Sequence, residues 1–209
     1  FVFSLSNEIG IYNYSKDFDK NGVVYALAPN SGRTSRVSSR STNASGTQIV
    51  ATRSSDGEGS AMDLLENQVQ TGTQSGTKDK EDSWWCVDLT EKYVLFLTHY
   101  TLRHGCEKRQ SVLLNWRLQG SLDRRTWTTL RNHEDDHGLD KDRRYCTCTW
   151  AIKGNSKAFR YFRIFQTGNN SSGGFSIFLS GIELYGALIE KTVKSAEIYE
   201  QGNLLDGAW

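Results

Sequence analysis

One segment constrains this chain more than any other: a short run of alternating apolar and polar side chains that turns sharply and closes on a tryptophan. Leu114, Trp116 and Leu118 alternate with Asn115, Arg117 and Gln119. A period of two puts the first set on one face of an extended backbone and the second in water, so the run reads as a half-buried antiparallel strand. Residues 120–125 break the pattern with Ser121 and Asp123, whose side-chain oxygens turn a backbone by accepting from nearby N–H groups. A second strand follows over residues 127–130, with Trp127 placed to fold back over the turn.

The same reading along the chain predicts strands at residues 23–27, 48–52, 84–89 (WWCVDL), 94–102, 143–152, 158–166 and 175–185. They are bounded by turn residues, such as DKNG at 19–22. Segment 94–102 is nearly continuous in apolar residues, which predicts a strand that is buried on both faces or central. Residues 1–18 read as a lead-in with an edge strand, and Ser60 as the cap of a brief helix over 61–67. Residues 53–59 (RSSDGEG), 68–82 and 105–111 (GCEKRQS) read as loops. Residues 31–45, carrying Arg33, Arg36 and Arg40, read as a solvated excursion after Pro29. At least eight short strands with one short helix predict an all-β fold, an antiparallel β-sandwich or jelly roll. Past Gly186 the spacing of Leu188, Val193 and Ile198 turns helix-like, so residues 187–209 read as a linker or helix that packs back along the sheet edge.

The length of 209 residues suits one domain with extensions, able to bury a core without a metal or disulfide. Lys and Arg number 25 against 24 Asp and Glu, so no bulk field favours nucleic acid or an anionic membrane as partner. No apolar run reaches the roughly 18 residues of a membrane span. The first residue is Phe1 rather than Met, which reads as a module of a longer protein with flanking domains. Cys86, Cys106, Cys146 and Cys148 all lie away from the ends, where a secreted sandwich staples its terminal strands, and this favours the reducing cytoplasm. Glycosylation sequons at Asn13, Asn43, Asn169 and Asn170 stand against that, although a chain rich in Ser, Thr and Asn produces such triplets by chance.

Catalytic and metal constellations are weak. His133 and His137 bracket Glu134, Asp135 and Asp136, while Cys146 and Cys148 share one strand face, but the Cys spacing is wrong for a zinc knuckle. Asp135, Asp136, Asp140 and Asp142 read as a solvated turn rather than a calcium loop. No G-x-S-x-G or phosphate-loop pattern occurs. The expectation is therefore no enzyme, no cofactor and no metal. Trp84, Trp85, Trp116, Trp127 and Trp150 read as packing rings. Asp88, inside an apolar strand, calls for a bidentate partner, Arg160 or Arg163.

Five segments together resemble the discoidin, or coagulation factor 5/8 type C, domain: SWWCVDL (83–89), YTLRHG (100–105), NWRLQGSLDRRTW (115–127), LRNHEDD (130–136) and FRYFRIFQTGNNSSGGFSIFLSGIELYG (159–186). With the lead-in DFDKNGVVYAL (17–27), the likeness is closer to the intracellular branch found in BTB-domain proteins and HECT-type ubiquitin ligases. It divides the chain into a lead-in 1–16, a domain 17–186 and a tail 187–209. Two departures stand out. Arg124 occupies a position where relatives carry Gly, and residues 33–47 are rich in Ser and Arg where relatives have aromatic residues. The resemblance implies a galactose-binding-like jelly roll that binds through loops at one end. Strand alternation puts residues 169–174 at the pole opposite Gly186, and the resemblance adds the loops 53–59, 68–80 and 104–111. The candidate ligand-binding residues are thus Arg53, Ser55, Asp56, Glu58, His104, Lys108, Arg109, Asn170 and Ser171. Loops without exposed Trp, Phe or Leu suit a protein or peptide rather than a membrane. The expected function is recognition of such a ligand within an intracellular ubiquitin-ligase or BTB adaptor; the alternative is an extracellular discoidin domain binding glycan or a cell-surface partner. Charge reversal at Arg53 or Arg109 is expected to abolish capture without lowering the melting temperature.

Overall fold

The alternating segments become the strands of two antiparallel sheets in a computed structural model that describes residues 5–28, 49–69, 74–106, 110–140 and 144–193. The first sheet has the order β1 (Leu5–Tyr12), β9 (Leu179–Val193), β4 (Tyr93–His104), β7 (Thr147–Ala151). The second has the order β2 (Val50–Arg53), β3 (Trp84–Asp88), β8 (Tyr161–Gln166), β5 (Trp116–Ser121), β6 (Thr128–His133). Leu95, Leu97, Leu102, Leu184 and Leu188 from the first sheet meet Trp85, Trp116, Leu118, Phe162 and Ile164 from the second in one buried core. Burying each such side chain contributes about 1.5–3 kcal/mol, and this apolar seam holds the two layers together. The all-β sandwich expected from sequence is the observed fold.

Several elements follow their sequence signals. The residues of β5 keep the predicted alternation at Trp116 and Leu118, buried, and Arg117, exposed, whereas Gln119, expected in water, is buried and accepts from Arg163. Trp127 folds back over the turn, its indole N–H donating to the Arg124 carbonyl at 3.2 Å. Ser60 caps a 3-10 helix, Ala61–Leu65, accepting from the Met62 N–H while Asp63 accepts from the Ser60 N–H. Asp88 takes a bidentate pair from Arg160, at 2.7 and 2.9 Å. β4 is central, one of the two outcomes its apolar run predicts, and Phe96 and Thr98 reach solvent near its middle.

Two elements depart from the sequence reading. Residues 23–27, expected as a strand from their Val-Val-Tyr content, form a helix, α1 (Val23–Leu27). The reason is tertiary: the buried Glu183 carboxylate of β9 accepts from the Val24 and Tyr25 N–H groups, at 2.7 and 3.0 Å. A carboxyl group at a helix N-terminus accepts from donors left over by the helical pattern, which outweighs a weak β preference. Residues 187–193, with helix-like spacing, instead continue β9 and pair with β1 from Leu5↔Val193 to Tyr12↔Gly186. The excursion 31–45 with its arginines, the Asn43 sequon, Asp142 and Ile198 lie outside the described residues.

Candidate functional site at the loop pole

Four loops converge at the pole where β3, β5 and β9 begin, and backbone bonds tie each to the next. Glu58 and Gly76 exchange N–H to carbonyl bonds, linking residues 54–60 to residues 74–82. Ser75 donates its N–H to Gly105, and Gly105 to Phe178, which brings in the end of β4 and the start of β9. Ser171 donates to Val112, while Ser171 Oγ accepts from the Val112 N–H and Ser172 Oγ from the Ser111 N–H, both at 2.8 Å. Side chains reinforce the ring: Ser55 Oγ accepts from the Lys78 N–H, and Asp79 accepts from the Phe175 N–H at 2.5 Å. These struts are backbone groups and short side chains, which have few rotamers to lose when they bond.

Seven of the nine candidate residues fall into three sets on this rim. Arg53, His104 and Asn170 belong to the framework rather than the surface. The Arg53 side chain is 2% exposed; it donates to the carbonyls of Glu58, Gly59 and Gly76, pairs with Asp56 and stacks over Trp85. His104 is buried at the end of β4. Asn170, also buried, donates to Ser176 and accepts from the Ser172 and Gly174 N–H groups, shaping its own turn. Ser55 and Ser171 are the struts just described. Asp56 and Glu58 are exposed on the rim, and Lys108 and Arg109 lie outside the described residues. Sequence reasoning did not single out Lys78, Lys80, Glu81 and Asp82, which stand exposed beside them; their only signal was a dense charge run before SWWCVDL.

A model of the F5/8 type C domain matches residues 41–179. The chain belongs to the F5/8 type C family. This discoidin domain is 35% identical over 200 residues, 90% of the chain, to the E3 ubiquitin-protein ligase Ufd4 of Drosophila melanogaster, and 36% identical over 83% of the chain to the E3 ubiquitin-protein ligase hecd-1 of Caenorhabditis elegans. A BTB/POZ domain-containing protein of Arabidopsis thaliana is 29% identical over 83% of the chain. Ligases and BTB proteins are thus among its relatives, as the resemblance implied. The chain spans only 7%, 6% and 22% of the length of these three proteins. Among solved structures, the Clostridium perfringens module CpGH89CBM32-5, in complex with GalNAc-beta-1,3-galactose, aligns with a TM-score of 0.52 at 14% identity, over 66% of this chain and 95% of that one. A Streptococcus pneumoniae fucose-binding module aligns with the same score at 17% identity, over 66% and 90%. At these identities the likeness is one of fold.

Behind the rim of the discoidin domain lies a polar network. His133 Nδ1 donates to Asp136 and its Nε2 accepts from the Tyr100 hydroxyl, each at 2.6 Å, while Trp116 stacks on the ring at 3.9 Å. Asp136 also accepts from the Trp150 indole and the Gly138 N–H. Burial lowers the His133 pKa, against the pull of Asp136, so the ring is neutral. Burial works to raise Asp136, yet these bonds hold it below its ordinary value. The network has the composition of a catalytic set, but Tyr100 is fully buried, and its partners fix β4, β6 and β7 relative to one another. His137 bonds to Asp140 and Asp135 on the surface. Among the described residues no three His, Cys, Asp or Glu side chains cluster as metal ligands. Cys86, Cys106, Cys146 and Cys148 are free thiols.

Proposed function

We propose that this F5/8 type C module is a non-catalytic recognition unit that holds a protein or peptide at its loop pole, within a larger intracellular protein of the ubiquitin-ligase or BTB-adaptor kind. The observation that carries this is the division of labour on the rim: the residues that shape the loops are locked, and the charged side chains between them face solvent. Asp56, Glu58, Glu81 and Asp82 outnumber Lys78 and Lys80 among the exposed described residues there, so the ligand is read as a segment presenting a basic residue to Asp56 and Glu58, with Lys108 and Arg109 as further candidates. Free thiols and kinship to ubiquitin ligases support an intracellular setting.

The test is a peptide array probed with the 209-residue chain and with an Asp56→Lys, Glu58→Lys double variant. Signals from basic peptides that disappear in the variant, with thermal stability unchanged, are the expected result. An unaltered pattern removes the site from the pole. Displacement of pole resonances by galactosides rather than peptides gives the glycan alternative instead.

A further inference from the structure

The outer face of the five-stranded sheet carries a second set of groups that the loop pole does not use. Register places Trp84, Phe165, Arg117 and Asn132 in one row across β3, β8, β5 and β6, and Thr52, Cys86, Arg163 and Gln119 in the next across β2, β3, β8 and β5. The Arg163 guanidinium lies 3.9 Å from the centre of the Trp127 ring and 4.9 Å from that of Phe165, with Gln119 accepting from Nε and Nη2. Arg124 reaches over the sheet from the β5–β6 turn, donating to Thr52 Oγ1 at 3.2 Å above the Tyr161 ring. Arg117 donates to Asn132. Asp88 is occupied by Arg160, Asp123 by its own turn, and Glu134 by Asn132. Among the described residues, Arg117, Arg124 and Arg163 therefore have no carboxylate partner.

This arrangement holds uncompensated charge in place at a cost. Arg163 is half-buried, and burial lowers its pKa. Arg124 sits at φ 61°, the left-handed region natural to the glycine of its relatives, and a larger residue there is strained by about 1–2 kcal/mol. We propose that this face is a second docking surface, for an extended acidic segment of a partner polypeptide whose carboxylates pair with Arg117, Arg124 and Arg163. Arg117 stands opposite Phe165, two residues along β8 from Arg163, a diagonal separation of about 7–8 Å. Alternate residues of an extended chain repeat at about 7 Å, so acidic residues at every second position match it, and guanidinium forks bind carboxylates in pairs. Nucleic acid fits less well: Trp127, Phe165 and Tyr161 are already covered by Arg163, Arg124 and Arg160, which leaves Trp84 as the one uncovered ring of those named, and the net charge is only +1.

The test follows the side-chain Nε–Hε resonances of the isotopically labelled chain during titration with a peptide of alternating Glu and Ser, and separately with single-stranded oligouridylate. The peptide is expected to shift Arg117, Arg124 and Arg163. Arg117→Glu and Arg124→Gly, both at exposed positions, are each expected to weaken binding about tenfold, the loss of one charge-assisted pair, while Arg124→Gly keeps or raises thermal stability. Equal affinity for the doubly substituted chain overturns the proposal, as do shifts confined to residues 54–60 and 78–82 or tighter binding of oligouridylate. Loss of basic-peptide signals in the Asp56 and Glu58 variant reads out the pole separately.

Discussion

A guanidinium surrounded by carbonyl oxygens does structural work, and Arg53 is such a group. Its bonds to Glu58, Gly59 and Gly76 join two rim loops through one side chain. Arg53→Glu would set a carboxylate against those oxygens, and the expected loss is about 3–5 kcal/mol in urea denaturation, accompanied by lost binding. The expectation of an unchanged melting temperature therefore does not survive for this residue; Asp56→Lys is the cleaner probe. Glu183 offers a pH test. Burial pushes its carboxyl up to about 8, against three backbone N–H groups that lower it. A folded value above the ordinary 4.5 means that the native state binds the proton more tightly, so the contribution is fully present below about 4.5 and is lost as pH rises through about 8. Glu183→Gln should flatten that slope and cost about 1–3 kcal/mol by facing an amide toward the Tyr25 N–H, checked by denaturation at a series of pH values. The Asp88–Arg160 pair was legible because an acid inside an apolar strand requires a partner. The engagement of Arg53 was not, because carbonyl acceptors leave no trace in residue identity.

At the scale of elements, long-range partners decide what local propensity leaves open. α1 exists because Glu183, 159 residues away in sequence, takes up its first N–H groups. Val23 and Val24 alone read as strand. The predicted hairpin held because all of its determinants are local: alternation in β5, the Asp123 side chain accepting from the Arg125 and Thr126 N–H groups, and the Trp127 fold-back. β9 combines both kinds of control. Its 15 residues pass a register shift opposite Leu97 and His99, where Gly186 adopts φ 149° and lies so close to the Phe96 carbonyl that a Cβ would collide with it. Gly186→Ala should destabilise by more than about 1 kcal/mol. Hydrogen exchange should accelerate in β1, in the second half of β9 and in the first half of β4 before β5 or β8, since those segments pair at or beyond the kink.

For the whole molecule, the five motifs in sequence order specified a two-layer sandwich with the candidate loops gathered at one pole, because each carries core or turn residues whose spacing the layers impose. The solvent-facing surface of that pole was less legible: exposed charges such as Asp56 and Lys80 are free to vary without disturbing packing, and buried Asn170 resembles them in sequence. The boundary at residues 17 and 186 is open to a direct test. β1 pairs with β9 on both sides of Ala187, so a 17–186 fragment would leave β4 with a bare edge and uncover Leu95. It should unfold at a lower urea midpoint than the 209-residue chain and associate through that edge, measured by denaturation and light scattering. The pairing of Leu5 with Val193 also has a mechanical meaning. At about 3.4 Å per residue, β9 carries the backbone roughly 50 Å from the loops to that pair. Leu5 and Val193, the first and last described residues, therefore sit side by side at the end away from the loops, and a ligand held at the candidate pole would lie the length of one strand from the points where the described chain enters and leaves.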